Sequence, residues 1–322
     1  MSSYDSLLTT LPKPSPWLLA NDSATMAPFT YLISIPGRAW ILRFVEALNF
    51  WMQLPPDALN SISKTLNMVV NAWLLIDDIE DGTHLRRGKP VAHSIFGIPR
   101  TFNAGSQAFF LAQQEILSLD ESPDAIQTML KAFTDEMVAI HRGQGLEILW
   151  RETFRCPTED EYVLMVADKT SSFFRMMAKL MQTCAGAQNA DVDFTPLANA
   201  IGIFIQIRDD YVNLTSPAYS ARKGFAEDLS EGKFSFPILH GIHANPKDTR
   251  ILEALKQRPT EPSEKIPIID YLKAETHSLA YTQNVLEILE KQTRDEIARL
   301  GGNSMLEKII DALHEDMVMV DE

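Results

Sequence analysis

Cysteine is nearly absent: Cys156 and Cys184 are the only two in 322 residues, and neither has a partner at metal-binding spacing. That argues against a disulfide scaffold and a zinc knuckle, and reduced thiols are expected. Histidine is sparse as well. His84, His93 and His141 lack the spacing of a zinc site and are expected in core or surface roles. No apolar run approaches the length of a membrane span, and no basic segment followed by an apolar stretch opens the chain. The expectation is a cytoplasmic protein with no transmembrane segment. Basic charge is in deficit, 29 Lys and Arg against 43 Asp and Glu, which argues against a nucleic-acid partner. Gly82, Gly88 and Gly97 build no phosphate-cradling loop, and neither a G-x-G-x-x-G nor a Walker pattern occurs. Repeats, linkers and low-complexity tracts are missing too.

What is present suits a large core: 45% of residues are hydrophobic and 22% charged. Residues 1–28, with Pro12, Pro14, Pro16 and Pro28, read as an irregular arm, and 29–322 as a single domain. Leu59, Ile62, Leu66, Val69, Val70, Trp73 and Leu74 recur at threes and fours and lead into Asp77. Leu197, Ile201, Phe204 and Ile205 do the same ahead of Asp209. A further helical pattern runs from Leu272 through Leu300 to Gly301-Gly302, a helix stop. The Pro-containing stretches 215–237 and 258–267 read as loops. Strand-like alternation is nearly absent. The fold class is all-α, a helical bundle with a central active-site cavity.

Two acidic clusters, 132 positions apart, carry the chemistry: Asp77-Asp78-Ile79-Glu80-Asp81 and Asp209-Asp210-Tyr211-Val212-Asn213. Asp77 and Asp81 are four apart, so a helix presents both from one face. Converging carboxylates repel and raise each other's pKa unless cations stand between them. A hard divalent ion held by a few carboxylates and substrate phosphates is the natural partner, Mg²⁺ above all. Val70, Trp73, Asp77 and Asp81 share one helix face. Glu80, Asp120 and the acidic C-terminal stretch read as surface charges. Basic groups follow in Leu85-Arg86-Arg87-Gly88-Lys89-Pro90 and at Lys169-Thr170, Lys223 and Lys233, candidates for phosphate recognition.

Together these segments resemble the trans-isoprenyl diphosphate synthases, specifically the fungal and animal geranylgeranyl diphosphate synthase type. The resemblance rests on Asp77 to Asp81 through Arg86-Arg87-Gly88, on Pro90-Val91-Ala92-His93-Ser94, on Gln206-Ile207-Arg208-Asp209-Asp210-Tyr211, and on Glu227 through Pro237. It implies an isoprenoid synthase bundle working as a homodimer. It implies three Mg²⁺ ions on Asp77, Asp81 and Asp209, with Asp78 and Asp210 in support. Arg86, Lys169, Thr170, Gln206, Lys223 and Lys233 are then expected to grip the diphosphate of an allylic donor, and Lys169 and Lys233 to assist its ionisation. Phe109, Phe110 and His141 fall where relatives place the floor of the prenyl-chain pocket.

The acceptor half departs from that pattern. A Gly-Lys-x-x-Arg motif reads Gly37-Arg38-Ala39-Trp40-Ile41, and an expected His is Val70. Arg38 replaces Lys, Arg87 remains, and Trp73 occupies a position that is small in relatives. Charge-assisted bonds are worth ~1.5–3 kcal/mol each, so losing two weakens isopentenyl diphosphate binding severely. The first reading is geranylgeranyl transfer to indole-3-glycerol phosphate in indole-diterpene biosynthesis, with Trp73 or Trp40 stacking on the indole. The others are an ordinary geranylgeranyl diphosphate synthase using isopentenyl diphosphate, a class I terpene cyclase, which needs no acceptor, and a non-catalytic partner subunit.

Overall fold

The computed structural model describes residues 19–37 and 39–318. Helices dominate them, and a two-residue antiparallel pair, Leu85–Arg86 with Lys89–Pro90, is their one sheet. Apolar side chains from Phe44 to Leu313 merge into one principal core.

The Pro56–Glu80 helix follows the predicted periodicity. Pro56 opens it, where a missing N–H costs nothing. Its buried stripe runs Ile62, Leu66, Val69, Ala72 and Leu75. The Ile98–Leu117 helix packs closely against it, presenting small residues (Ala104, Gly105, Ala108, Ala112) that let the two backbones approach. Pro123–Thr153, the Glu159–Val166 and Ser172–Ala185 pair, and Thr195–Thr215 pack in succession around the centre. Among the described residues no helix is long and apolar enough to cross a membrane.

Three sequence expectations need correction. Within the described part of the arm, Leu19–Thr25 and Ala27–Ser34 are helical, the second with Pro28 in its first turn. The 215–237 stretch holds the short helices Pro217–Lys223 and Glu227–Glu231, and the 258–267 stretch passes into Pro262–Ala274. Pro217, Pro237 and Pro262 mark helix starts there, Pro267 lies inside a helix, and Pro259 stays in a loop. The periodic run to Gly301 is divided, since Pro262–Ala274 ends before Ser278–Arg299 begins.

Candidate active site

Both acidic clusters face one cavity of about 630 Å³. Asp77 lies in the last turn of Pro56–Glu80 and Asp81 caps its end. Carboxylates there stand at the negative end of the helix dipole and need positive charge from elsewhere. Asp209 projects from Thr195–Thr215 with 43% of its side chain exposed.

The cations come from several elements. Arg86 Nη2 reaches Asp77 Oδ2 at 3.1 Å, and its Nε donates to Asp78 Oδ1 at 2.8 Å. Arg151 Nη1 donates to Asp81 Oδ1 at 2.7 Å. Lys169 donates to Glu147 and lies 4.0 Å from Asp77. Lys233 Nζ is 2.9 Å from Asp210 Oδ1 and 3.7 Å from Glu147. Asp210 also accepts from Tyr162, from Gln206 Nε2 at 3.1 Å and from the Phe236 N–H at 2.8 Å, so it organises neighbours and has little capacity left. Thr170 Oγ1 donates to Gln206 Oε1 at 2.8 Å, and Lys223 pairs with Glu231 at 3.4 Å.

Asp77 and Asp81, in the first cluster, are shifted in opposite directions. Burial alone would raise Asp77, but Lys169 and Arg86 outweigh it and hold the carboxyl below its usual range. Asp81 is pushed up to about 8 by burial and the charges of Asp77 and Glu231. Asp228 rises to about 7, from burial first and the Asp210 and Glu231 charges after it. Glu147 is held low by Lys169 and Lys233 against the effect of burial. The pattern is that of a site short of positive charge around Asp81 and Asp228.

The expected acceptor positions also meet the cavity. Ile41, Val70 and Trp73 line it together with Trp40, Phe173 and Phe174, and Trp73 Nε1 is buried without a hydrogen-bond partner. Arg38 lies outside the described residues. Arg87 lines the cavity too, but its guanidinium is partly engaged by other acceptors. Arg87-Gly88 forms the two-residue turn between the short strands, both with positive φ, a conformation uncommon for Arg. Its guanidinium donates to the Ile35 carbonyl at 3.0 Å, the Leu32 carbonyl at 3.3 Å and Asn71 Oδ1 at 3.3 Å. The side chain thus ties a strained turn to the Ala27–Ser34 helix.

Phe109, Phe110 and His141 do not line this cavity. Phe110 is 70% exposed, on the side of its helix away from the Ala104–Ala108–Ala112 stripe. Phe109 is half-buried and stacks edge-on with His141, ring centroids 5.7 Å apart. Glu80 is exposed, as expected of a surface charge, and accepts from Gln144 Nε2 at 2.9 Å. Sequence reasoning missed Gln144, Glu147 and Arg151, three polar residues at spacings of three and four on one helix. It also missed Tyr219 and Arg222, which line the cavity from a segment read as loop.

Among the described residues no three His, Cys, Asp or Glu side chains sit close enough to hold a metal by themselves. The available donors are hard carboxylate oxygens. They suit Mg²⁺, which is typically bound through one or two carboxylates and completed by substrate phosphates.

A family model described as polyprenyl synthetase matches residues 22–272. The chain belongs to the polyprenyl synthetase family. Membership makes it a prenyltransferase-class enzyme working on small prenyl diphosphates, and the cavity holds acids and bases suited to that work. Its curated relatives carry two kinds of name. The geranylgeranyl pyrophosphate synthase of Mucor circinelloides f. lusitanicus is 42% identical over 294 residues, 91% of this chain and 94% of that one. The IDS-like terpene synthase 1 of Melampsora lini is 42% identical over 317 residues, covering 98% and 95%. A terpene synthase of Matsumurasca onukii is 43% identical over 292 residues, covering 91% and 93%.

Proposed function

We propose that this polyprenyl synthetase family member ionises an allylic diphosphate and directs the cation to an uncharged π-nucleophile, first of all a double bond of the same prenyl chain. The reading departs from the indole transfer expected from sequence, because the observation that carries it is the state of Arg87. Ile41 and Val70 are aliphatic, and Arg87, although it lines the cavity, is partly committed to Leu32, Ile35 and Asn71, so the cavity's second half has fewer free donors for a second diphosphate. It offers aromatic faces instead. The relatives named terpene synthases support the same reading.

In this account Lys169, Thr170, Gln206, Lys223, Lys233 and Arg86 hold the donor diphosphate. As the carbon–oxygen bond breaks, its electron pair leaves with the diphosphate, and these groups stabilise the growing negative charge. Asp77, Asp81 and Asp209 would hold Mg²⁺, three ions by family resemblance, which would further neutralise that leaving group. Trp40, Trp73, Phe173 and Phe174 exclude water and present π-faces to the allylic cation. A carbon–carbon bond then forms from π electrons, and a proton is lost to end the sequence.

The second reading is chain elongation, favoured by the geranylgeranyl pyrophosphate synthases among the relatives. Indole-3-glycerol phosphate would use the same aromatic walls, but its phosphate meets the same engaged Arg87. Isopentenyl diphosphate binding discriminates between the readings. Titrated calorimetrically with Mg²⁺ and a non-ionisable thiolo analogue of the donor, it should show no saturation at millimolar concentration; micromolar binding would restore elongation. A homodimer is part of this proposal, supported by the exposed Ile98, Phe102, Phe110 and Leu117 on one helix.

A further inference from the structure

The helix that carries Lys169 and Thr170 is interrupted. Between Glu159–Val166 and Ser172–Ala185 the chain passes through a π turn, Ala167–Ser171. Such a turn is a poorer arrangement than regular helix and persists where its surroundings impose it. Two glycines show part of what does. A Cβ on Gly143 would stand 2.3 Å from the Lys169 backbone nitrogen, and one on Gly202 would stand 2.4 Å from the Ser171 Cα. The π turn is pressed between two bare helix faces.

A polar hold completes it. Arg175 reaches back along its own helix, and its Nη1 donates to the Ala167 carbonyl at 2.8 Å and to Asn199 Oδ1 at 2.8 Å. Its Nε donates to Glu136 Oε2 at 3.0 Å, and Glu136 also pairs with Lys179 at 2.5 Å. The Glu136 side chain is only 5% exposed and that of Arg175 14%, yet neither lines the cavity and neither has a role in ionisation. Burying this pair costs desolvation, which its geometry must offset. The geometry joins three helices at the π turn.

We propose that Arg175, oriented by Glu136, is a positioning residue: it locks the π turn so that Lys169 and Thr170 face the donor diphosphate together. Without it the segment can relax toward regular helix, rotating Lys169 away from Glu147 and Asp77. This rests on the diphosphate-binding reading of the cavity and not on the choice of acceptor.

The test is calorimetric titration of inorganic diphosphate with Mg²⁺ into wild type, Arg175→Met, Lys169→Ala and the double variant. Each single variant should bind about tenfold more weakly, and the double no more weakly than Lys169→Ala within about twofold, because the residues act through one another. Thermal unfolding of the four proteins separates this from general damage: Arg175→Met should lower stability equally in both backgrounds. Should Arg175→Met fail to fold, Glu136→Gln must show the same coupling to Lys169→Ala. Arg175→Lys, which keeps the charge but cannot reach all three partners, must also bind weakly. Unchanged binding, or full additivity with Lys169→Ala, overturns the proposal. Wild type that binds no diphosphate overturns the underlying reading as well.

Discussion

The guanidinium of Arg87 donates to the main-chain carbonyl of Ile35 at 3.0 Å, and this bond commits part of a cation that lines the cavity to a backbone acceptor. Asp77, Lys169, Gln206, Lys223 and Lys233, read as the donor side, share the cavity with a wall of Ile41, Val70 and Trp73. In the proposed reading the two halves of the cavity differ in chemistry.

Restoring charge should reverse that difference. Ile41→Arg with Val70→His adds two phosphate-binding groups, each worth ~1.5–3 kcal/mol in a charge-assisted bond. Five-carbon elongation with isopentenyl diphosphate should rise by tenfold or more (~1.4 kcal/mol). Steady-state assay with farnesyl diphosphate measures it; no gain would mean the acceptor pocket lies elsewhere.

Trp73→Ala should change what the cation does more than whether it forms. Diphosphate release is expected within about threefold of wild type, while products shift toward longer or less folded hydrocarbons as the wall recedes, since an aromatic face gives about 0.5–2 kcal/mol to a nearby cation. A variant that simply accepts longer donors, with its product pattern otherwise intact, would place the ring at the floor of the prenyl pocket instead.

Asp77→Ala and Asp209→Ala should each lower turnover by a hundredfold or more under any catalytic reading, as should chelation of Mg²⁺ by EDTA. Added metal should rescue only the chelated enzyme. Turnover persisting in EDTA would contradict the role assigned to the two clusters.

Protonation links metal to stability. In the fold Asp81 lies near 8 and Asp228 near 7, above their ordinary 3.8. Both therefore favour the folded state while protonated, and that contribution is lost as pH rises from about 4 through about 8. Melting temperature in EDTA should fall between about pH 6 and pH 8.5, and the stabilisation given by Mg²⁺ with inorganic diphosphate should grow over the same range. A ligand-induced shift equal at both pH values would show that neither proton is displaced.

Glu147 bridges Lys169 and Lys233 in a buried position. Glu147→Gln removes the carboxylate that two buried ammonium groups share, leaving Lys233 on Asp210 and Lys169 with only Asp77 at 4.0 Å, and should destabilise the fold by about 3 kcal/mol, in the range for breaking a buried ion pair. Urea unfolding would measure it, and a change below about 0.5 kcal/mol would mean that water or rearrangement screens the lysines.

The two site-bearing helices were legible because each runs apolar residues at threes and fours straight into its acidic cluster, so hydrophobic period and polar register agree. Pro217 and Pro262 misled for a definable reason: the residue type that breaks a helix interior also starts one. Gln144, Glu147 and Arg151 carried a spacing signal that a closer count would have caught. Arg175 with Glu136 carried none, since 39 positions separate residues that only packing brings together. The outward Phe110 shows the opposite limit, in which a position equivalent in relatives does not reach the cavity within one chain.

The decisive measurement is a product assay. Purified protein and Mg²⁺ are given geranyl, farnesyl or geranylgeranyl diphosphate, alone and with equimolar isopentenyl diphosphate or indole-3-glycerol phosphate, and products are read by mass spectrometry. Hydrocarbon released from an allylic diphosphate alone, undiminished by either acceptor, is the predicted result. A five-carbon-longer diphosphate as the main product, or a prenylated indole, would contradict it and return the acceptor half of the cavity to a phosphate-bearing partner.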